Sequence, residues 1–196
     1  GHDGTNYGSG FVAGRGNLTS TTRWNVESGK ESNSAYAIGP SAKYNTAGAV
    51  VSQTTPWDGS STRTVTIDYT DSFNSSGIAA TYAYPTKITD PRGAVTDITY
   101  NVLGSTTQIA YTPVSGLPDT PTVTFGYDDL GNRVSMDTAG VSEVTYAYDP
   151  LSRMTSETVN FDDLANNLTI GYTYGLTGLK SITDPSGKEI EYAKDR

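Results

Sequence analysis

The chain has 196 residues and sets 13 basic against 21 acidic side chains, for a net charge of −8 and a pI near 4.5. With Lys and Arg scattered singly, this acidity argues against nucleic acid or an anionic membrane surface as a partner, since both need clustered cations. The absence of Cys removes disulfides, thiol catalysis and thiolate metal sites, and no apolar run approaches the roughly 18 residues that would span a bilayer.

Hydrophobic residues make up only 35%, whereas Tyr occurs 14 times and Gly 21 times. Tyr and Thr suit half-buried pleated surfaces, and Gly, Pro, Asn and Asp supply turns, so the composition predicts an all-β chain of many short strands.

In chain order, Gly1-His2 reads as a cloning remnant. Residues 3–81 form a less regular region, in which RGNLTSTTRWN, SAKYNTAGAVVSQTTPW and TRTVTIDY read as longer strands joined by Asn-, Gly- or Asp-containing turns. Tyr44-Asn45-Thr46-Ala47-Gly48 already carries a turn element that returns later, and Ile67-Asp68-Tyr69 the first aromatic anchor.

From residue 82 to 196 the repetition is clear. The pair of aromatic or β-branched residues flanking a spacer recurs as Tyr82-Ala83-Tyr84, Ile98-Thr99-Tyr100, Phe125-Gly126-Tyr127, Tyr146-Ala147-Tyr148 and Tyr172-Thr173-Tyr174, with Tyr192 as a last single copy. Residues two apart in a strand share a face, so each pair lies on one side of a sheet. A chain reversal follows most of these pairs: NVLG closing at Gly104, DDLG from Asp128 to Gly131, Asp149 to Ser152, and GLTG from Gly175. A second turn, Asp-Pro-x-Gly, appears as Asp90-Pro91-Arg92-Gly93 and Asp184-Pro185-Ser186-Gly187, with Asp137 to Gly140 as a variant lacking Pro. Asp or Asn opens such a turn through its side-chain oxygen, Pro presets φ, and Gly occupies the position of positive φ.

Extra length falls in polar segments such as TPVSGLPDTP and FDDLANN, where loops grow without disturbing strands. The segment 160–170 has apolar residues that could make one helical turn, but the alternation of LTIGYTY predicts a strand from Leu168 and a long hairpin loop before it. The final residues, EYAKDR, stop inside a repeat, so the sequence reads as a fragment of one continuous repeat domain of seven or eight units.

Candidate chemistry is sparse. The single His, His2, lies in the terminal remnant, which removes Ser-His-Asp and histidine metal arrangements. The acidic pairs Asp128-Asp129 and Asp162-Asp163 sit at predicted turns, where adjacent carboxylates point apart; solvated turn residues are the preferred reading over acid–base catalysis. No calcium loop is present, and neither RGN (15–17) nor PRG (91–93) opens a helix as a phosphate cradle would. Asn17, Asn74 and Asn167 begin Asn-x-Ser/Thr triplets, which arise by chance in a Thr-rich chain. No enzyme activity, cofactor or metal is expected. Rows of Tyr are either exposed binding surfaces for sugars or peptides or the filling between strands, and the shortage of Leu, Ile and Phe favours the second.

The combined pattern of Asp-Pro-x-Gly, alternating residues, then Tyr-x-Tyr-Asp-x-x-Gly resembles the YD repeat of Rhs (rearrangement hot spot) proteins. Asp90 through Gly104 matches over a full unit, as does Gly140 through Asp149; Asn101, Ser152, Gly175 and Lys194 depart from the motif. The resemblance implies a long, twisted antiparallel ribbon of hairpins forming a partial turn of a spiralling β-shell. Shells of this kind enclose a C-terminal toxic domain in bacterial polymorphic toxins and toxin-complex C components, and a related barrel stands at cell surfaces in teneurins. It implies a structural segment of a larger secreted or cell-surface protein, with a toxin or effector domain of the same parent chain as partner. The alternative is a surface adhesion module that binds carbohydrate or protein through its tyrosine-rich face. Family shells also carry a plug and an autoproteolytic region, neither of which matches this sequence, so no self-cleavage residues carry over. Exposed strand edges predict self-association.

Overall fold

A computed structural model describes residues 17–21, 39–45, 48–57, 61–71, 83–176 and 178–192. His2, Tyr82 and the boundary expected between 81 and 82 lie outside them. Among the described residues the chain is all-β, with thirteen antiparallel strands and no helix. The strands are β1 (Ser41–Tyr44), β2 (Val50–Pro56), β3 (Thr62–Asp68), β4 (Lys87–Thr89), β5 (Val95–Tyr100), β6 (Thr106–Thr112) and β7 (Val123–Tyr127). They continue as β8 (Arg133–Thr138), β9 (Ser142–Tyr148), β10 (Met154–Phe161), β11 (Leu168–Gly175), β12 (Gly178–Thr183) and β13 (Glu189–Glu191). Their order in one open sheet is their order in the chain. The hairpin repetition in the sequence therefore becomes the topology directly.

The chain divides into two compact units, residues 1–97 with 112–118, and residues 98–111 with 119–196. In the first, β1 pairs with β2, β2 with β3, and β3 with β4, and an isolated bridge joins Ser20 to Ser41. Thr54 and Thr64 share a cross-strand hydroxyl hydrogen bond of 2.9 Å. The Arg63 guanidinium lies 3.1 Å over the Trp57 ring, so the cation shields a largely exposed indole.

In the second unit the register sorts side chains onto two chemically distinct faces. Phe125, Met136, Val144, Val159 and Leu168 stand opposite one another across five successive strands. Tyr172, Ile182 and Ile190 extend that apolar face over β11 to β13. The row Gly126, Ser135, Thr145, Thr158 and Thr169 lies on the other face, where Thr158 and Thr169 share a 2.9 Å hydrogen bond. Alternation along each strand thus separates aromatic and aliphatic groups from hydroxyls. The core remains thin: Val144, 5% exposed, is the only fully buried hydrophobic side chain among the described residues. The repeat aromatics are mostly half-buried and gain contact from neighbouring strands.

The loop 162–167 carries β10 into β11, which begins at Leu168 as the alternation predicts. Asp137 departs from its expected place. The sequence puts it at the opening of a turn, but it lies within β8, opposite Glu143, and the reversal runs from Thr138 to Val141 with the Val141 N–H donating to the Thr138 carbonyl. Pairing of Thr138 with Ser142 takes up the residues that a five-residue turn from Asp137 would have needed.

Candidate functional site

The most regular chemistry in the molecule is a repeated turn. In the turns opened by Asp90, Asn101, Asp128, Asp149 and Asp184, four hydrogen bonds recur. The N–H of the opening residue donates to the carbonyl four positions on, and the N–H three positions on donates back to the opening carbonyl. One side-chain oxygen then accepts from the N–H groups two and four positions on. At Asp128 these come from Leu130 and Asn132, at 3.0 and 2.8 Å; at Asn101 from Leu103 and Ser105, at 3.0 and 2.9 Å. Asp90, Asp149 and Asp184 repeat the geometry within 2.7–3.0 Å. Asn45 makes the same backbone pair, and its Oδ1 accepts from the Ala49 N–H at 2.9 Å. One short side chain thus satisfies two donors that the reversal would leave unpaired.

The fourth turn residue has positive φ in every copy: Gly48, Gly93, Gly104, Gly131 and Gly187 at 81–93°, and Ser152 at 58°. Ser152 is the sole non-Gly residue with positive φ among those described. Its hydroxyl receives a 3.1 Å hydrogen bond from Asn132 Nδ2, which also bonds Asp128 Oδ2 at 2.9 Å, so one amide ties two successive turns together. The Gly175 copy is built differently: Gly175 pairs with Gly178 at the end of β11 and β12, giving a tighter hairpin with no Asx side chain in it.

The second device is a tyrosine clasp. Tyr127, Tyr148 and Tyr174 each sit at or next to the end of a strand and donate through Oη to a backbone carbonyl one repeat earlier: Thr106 at 2.8 Å, Arg133 at 2.9 Å and Met154 at 2.8 Å. Tyr69 reaches Val50 at 3.1 Å, and Tyr44 reaches Leu18 at 2.7 Å. Val50, Thr106, Arg133 and Met154 each stand five positions after the residue that opens the preceding turn. A register shift beside Tyr44, Tyr127 and Met154 marks a bulge at those turns. Beyond it the ladder to the next strand stops short: β8 pairs with β9 only from Ser135, and β10 with β11 only from Ser156. The Arg133 and Met154 carbonyls lie past those ends, and the phenol closes the gap that the bulge opens.

Arginines finish the arrangement. Arg133 lies 4.9 Å from the Tyr146 ring centroid and 5.9 Å from that of Phe125, and Arg153 lies 4.5 Å from that of Tyr174. Arg153 also holds Asp149 through an Nη2–Oδ2 contact of 2.6 Å.

The electrostatics follow the same geometry. The Asn132 amide, with backbone N–H donors, holds the Asp128 carboxyl below its ordinary range. Arg153 does so for Asp149, and the Ser186 hydroxyl with the Lys188 N–H for Asp184. At Asp90 desolvation is the largest single influence and pushes upward, but the combined Ala94 and Arg92 donors outweigh it. At Asp68 the Thr70 N–H lowers the carboxyl. Burial pushes the Tyr148 phenol up, against the pull of Arg133, which keeps its hydroxyl a donor.

The site residues singled out in the sequence therefore fall into three groups. Asp90, Asp128, Asp149, Asp184, Gly93, Gly104, Gly131 and Gly187 make the turns, with Pro91 and Pro185 at their second positions. Tyr69, Tyr127, Tyr148 and Tyr174 make the clasp, while Phe125 and Tyr146 flank Arg133 and Tyr172 lies in the apolar face. Gly140 turns the chain after β8, Tyr100 ends β5, and Tyr84 and Tyr192 are more exposed. The turn expected at Asn45, which follows Tyr44 as Asp128 follows Tyr127, forms with the same backbone hydrogen bonds, whereas Asn132 and the arginines were not singled out. Asp128 and Asp129 do not converge on a cleft, because the Asp128 carboxylate is taken up by its own turn. Among the described residues no three acidic or His side chains gather as a metal site.

These features define a tandem hairpin-repeat protein in which Asx turns close most of the described repeats on one rim and tyrosines lock several of them to the one before. Residues 127–161 match the family model described as RHS Repeat. The chain is also similar to solved structures of the TcdB2–TccC3–Cdc42 complex and of TcdB2–TccC3 without its hypervariable C-terminal region, at 16% and 17% identity. A third, of TcdB2–TccC3, is 14% identical. All three give a TM-score of 0.57 over 85% of this chain, which is a likeness of fold. The chain spans about 9% of the length of those solved chains. No curated protein matches it.

Proposed function

We propose that this structural Rhs-type repeat segment is a stretch of shell wall that encloses or presents a C-terminal toxin or effector domain of the same parent chain, in a secreted or cell-surface protein. The observation that carries the reading is the alignment of 85% of the chain with a small part of a TcdB2–TccC3 chain, a protein also solved without its hypervariable C-terminal region. The local chemistry supports it. The carboxylates of the repeated turns and the clasping phenols are spent on the protein's own backbone, so these groups serve shape. The segment is non-enzymatic on this reading.

Adhesion through the tyrosine face is the weaker reading, because hydroxyls that a sugar would need are already donating to carbonyls in Tyr69, Tyr127, Tyr148 and Tyr174. The test is limited proteolysis of the product of the whole reading frame, compared with any domain encoded downstream expressed alone. Protection of that domain in the full product is the expected outcome. Equal cleavage rates, or no downstream domain, overturn the proposal.

A further inference from the structure

In the second unit, the turns after β5, β7, β9 and β11 lie along one rim of the sheet, because each joins an up-going strand to a down-going one. The third residue of the Asx turn points outward, and at this rim it is Leu103, Leu130 and Leu151, each 71–72% exposed. Val102, in the same turn as Leu103, and Leu176, in the tight β11–β12 turn, are also exposed. Nothing in the turn requires an apolar group there. The same position in the Asp90 and Asp184 turns is Arg92 and Ser186, with identical backbone hydrogen bonds. A solvent-facing Leu repeated in three successive turns thus has no explanation within the turn.

We propose that this leucine rim is a self-association surface, and that its occupant is the same rim of a second copy of the chain. Spacing is the first argument. Successive turns are two strands apart, about 10 Å, and the second copy presents the same period, so the side chains of one rim fit between those of the other in a two-fold, antiparallel contact. Area is the second. Five nearly free aliphatic side chains at on the order of 100 Å² each offer roughly 500 Å² per partner and about 1,000 Å² for the pair, the lower bound of a specific interface. Charge permits the contact: the carboxylates of this rim at Asp128 and Asp149 are already engaged by Asn132 and Arg153, and Arg133 supplies a cation against the exposed Asp129. This differs from pairing through the strand edges, where β13 carries Glu189 and Glu191 on either side of Ile190, and an antiparallel copy would set those carboxylates against each other.

The experiment is sedimentation velocity from micromolar to millimolar concentration on the wild-type chain and three variants. The first combines Leu103→Ser, Leu130→Ser and Leu151→Ser; the second is Leu164→Ser in the loop at the opposite rim; the third is Ile190→Lys on β13. The expected result is a concentration-dependent dimer for wild type, Leu164→Ser and Ile190→Lys, and a monomer for the triple variant with unchanged circular dichroism. A wild-type monomer throughout, a dimer of the triple variant, or loss of the dimer in Ile190→Lys overturns the proposal. A double variant, Leu130→Cys with Leu151→Cys, tests the contact without depending on the triple variant. The chain has no Cys of its own, and two turns about 10 Å apart are beyond the reach of an internal disulfide. Oxidation is expected to give a covalent dimer, and its absence counts against facing rims.

Discussion

Tyr148 donates its phenol to the backbone carbonyl of Arg133, 2.9 Å away and one hairpin earlier. Arg133 stands directly opposite Tyr127, which makes the same bond to Thr106. Successive repeats here are therefore capped by the next, and the cap is a bond to main chain rather than to another side chain.

Removing the hydroxyl alone isolates the contribution of the clasp. Tyr127→Phe and Tyr174→Phe keep the ring and leave a part-buried carbonyl without its donor, which is expected to cost about 1 kcal/mol each. Urea denaturation followed by circular dichroism reads the change. Midpoints equal to wild type would show that the phenol contributes by packing alone.

The turns at Asn45 and Asn101 use an amide where the others use a carboxylate, so the turn needs an acceptor and not a charge. Asp128→Asn is accordingly expected to hold the denaturation midpoint close to wild type, whereas Asp128→Ala lowers it. An Asn variant as damaged as the Ala variant would sink this account.

Acid titration gives the same turns a pH signature. In the unfolded chain an Asp titrates near 3.9, and in the fold Asp68, Asp90, Asp128, Asp149 and Asp184 all lie below their ordinary value. A depressed carboxyl stabilises the fold fully above the unfolded value, and that stabilisation disappears as pH falls through the folded one. Urea midpoints are expected to hold from neutral pH to about 5 and to drop below about 4. The Asp128→Asn/Asp149→Asn double variant should show a shallower drop; a profile as steep as wild type would place the acid sensitivity elsewhere.

Backbone conformation predicts opposite effects at two equivalent positions. A Cβ at Gly131 meets nothing within 4 Å, yet φ is 84°, so Gly131→Ala should cost about 1–2 kcal/mol through strain alone. At Ser152 that strain is already present, and Ser152→Gly relieves it while losing the exposed bond from Asn132. Its midpoint should stay level or rise, and a clear fall would show that the link between turns outweighs the strain.

Cross-strand chemistry offers two further variants. Asp137 faces Glu143 directly across β8 and β9, and like charges in that relation repel, so Glu143→Lys is expected to stabilise by about 0.2–1 kcal/mol in low salt. Added salt should shrink the gain if it is electrostatic. Two residues along β8, a Cβ at Gly126 would overlap the Ser135 hydroxyl and force it to another rotamer, so Gly126→Ala should destabilise mildly and Ser135→Ala in the same chain should restore most of the loss. A double variant no better than Gly126→Ala would place the strain in the bulge.

Much of this architecture was open to reading because the repeated elements are local. The alternation in VTFGY, RVSMDT and SEVTYAY, and the Asx-x-x-Gly spacing, depend on residues within five positions of one another, and strand and turn follow from them. The clasp was hidden for the opposite reason. Its acceptor is a carbonyl, which every residue carries, so nothing about Thr106, Arg133 or Met154 marks them as partners of a tyrosine 15 to 21 residues later. Asp137 misled because its spacing to Gly140 imitates a turn, while cross-strand pairing of Thr138 with Ser142 decides the register. The exposed leucines carry no sequence signal either, since an apolar residue in a turn reads the same whether it faces solvent or a neighbour.

The turns at the leucine rim opened by Asn101, Asp128 and Asp149 all have the same five-residue construction, whereas the opposite rim of the second unit mixes the three-residue reversal after Thr138, the longer loop 162–167 and the five-residue turn at Asp184. The tyrosine acts as a gauge: its phenol closes only if the preceding turn sits one fixed step behind, so the spacing of those three turns is held. Length can be added at the far rim without disturbing this measure. Such a chain can take insertions along one border while the other keeps its pitch.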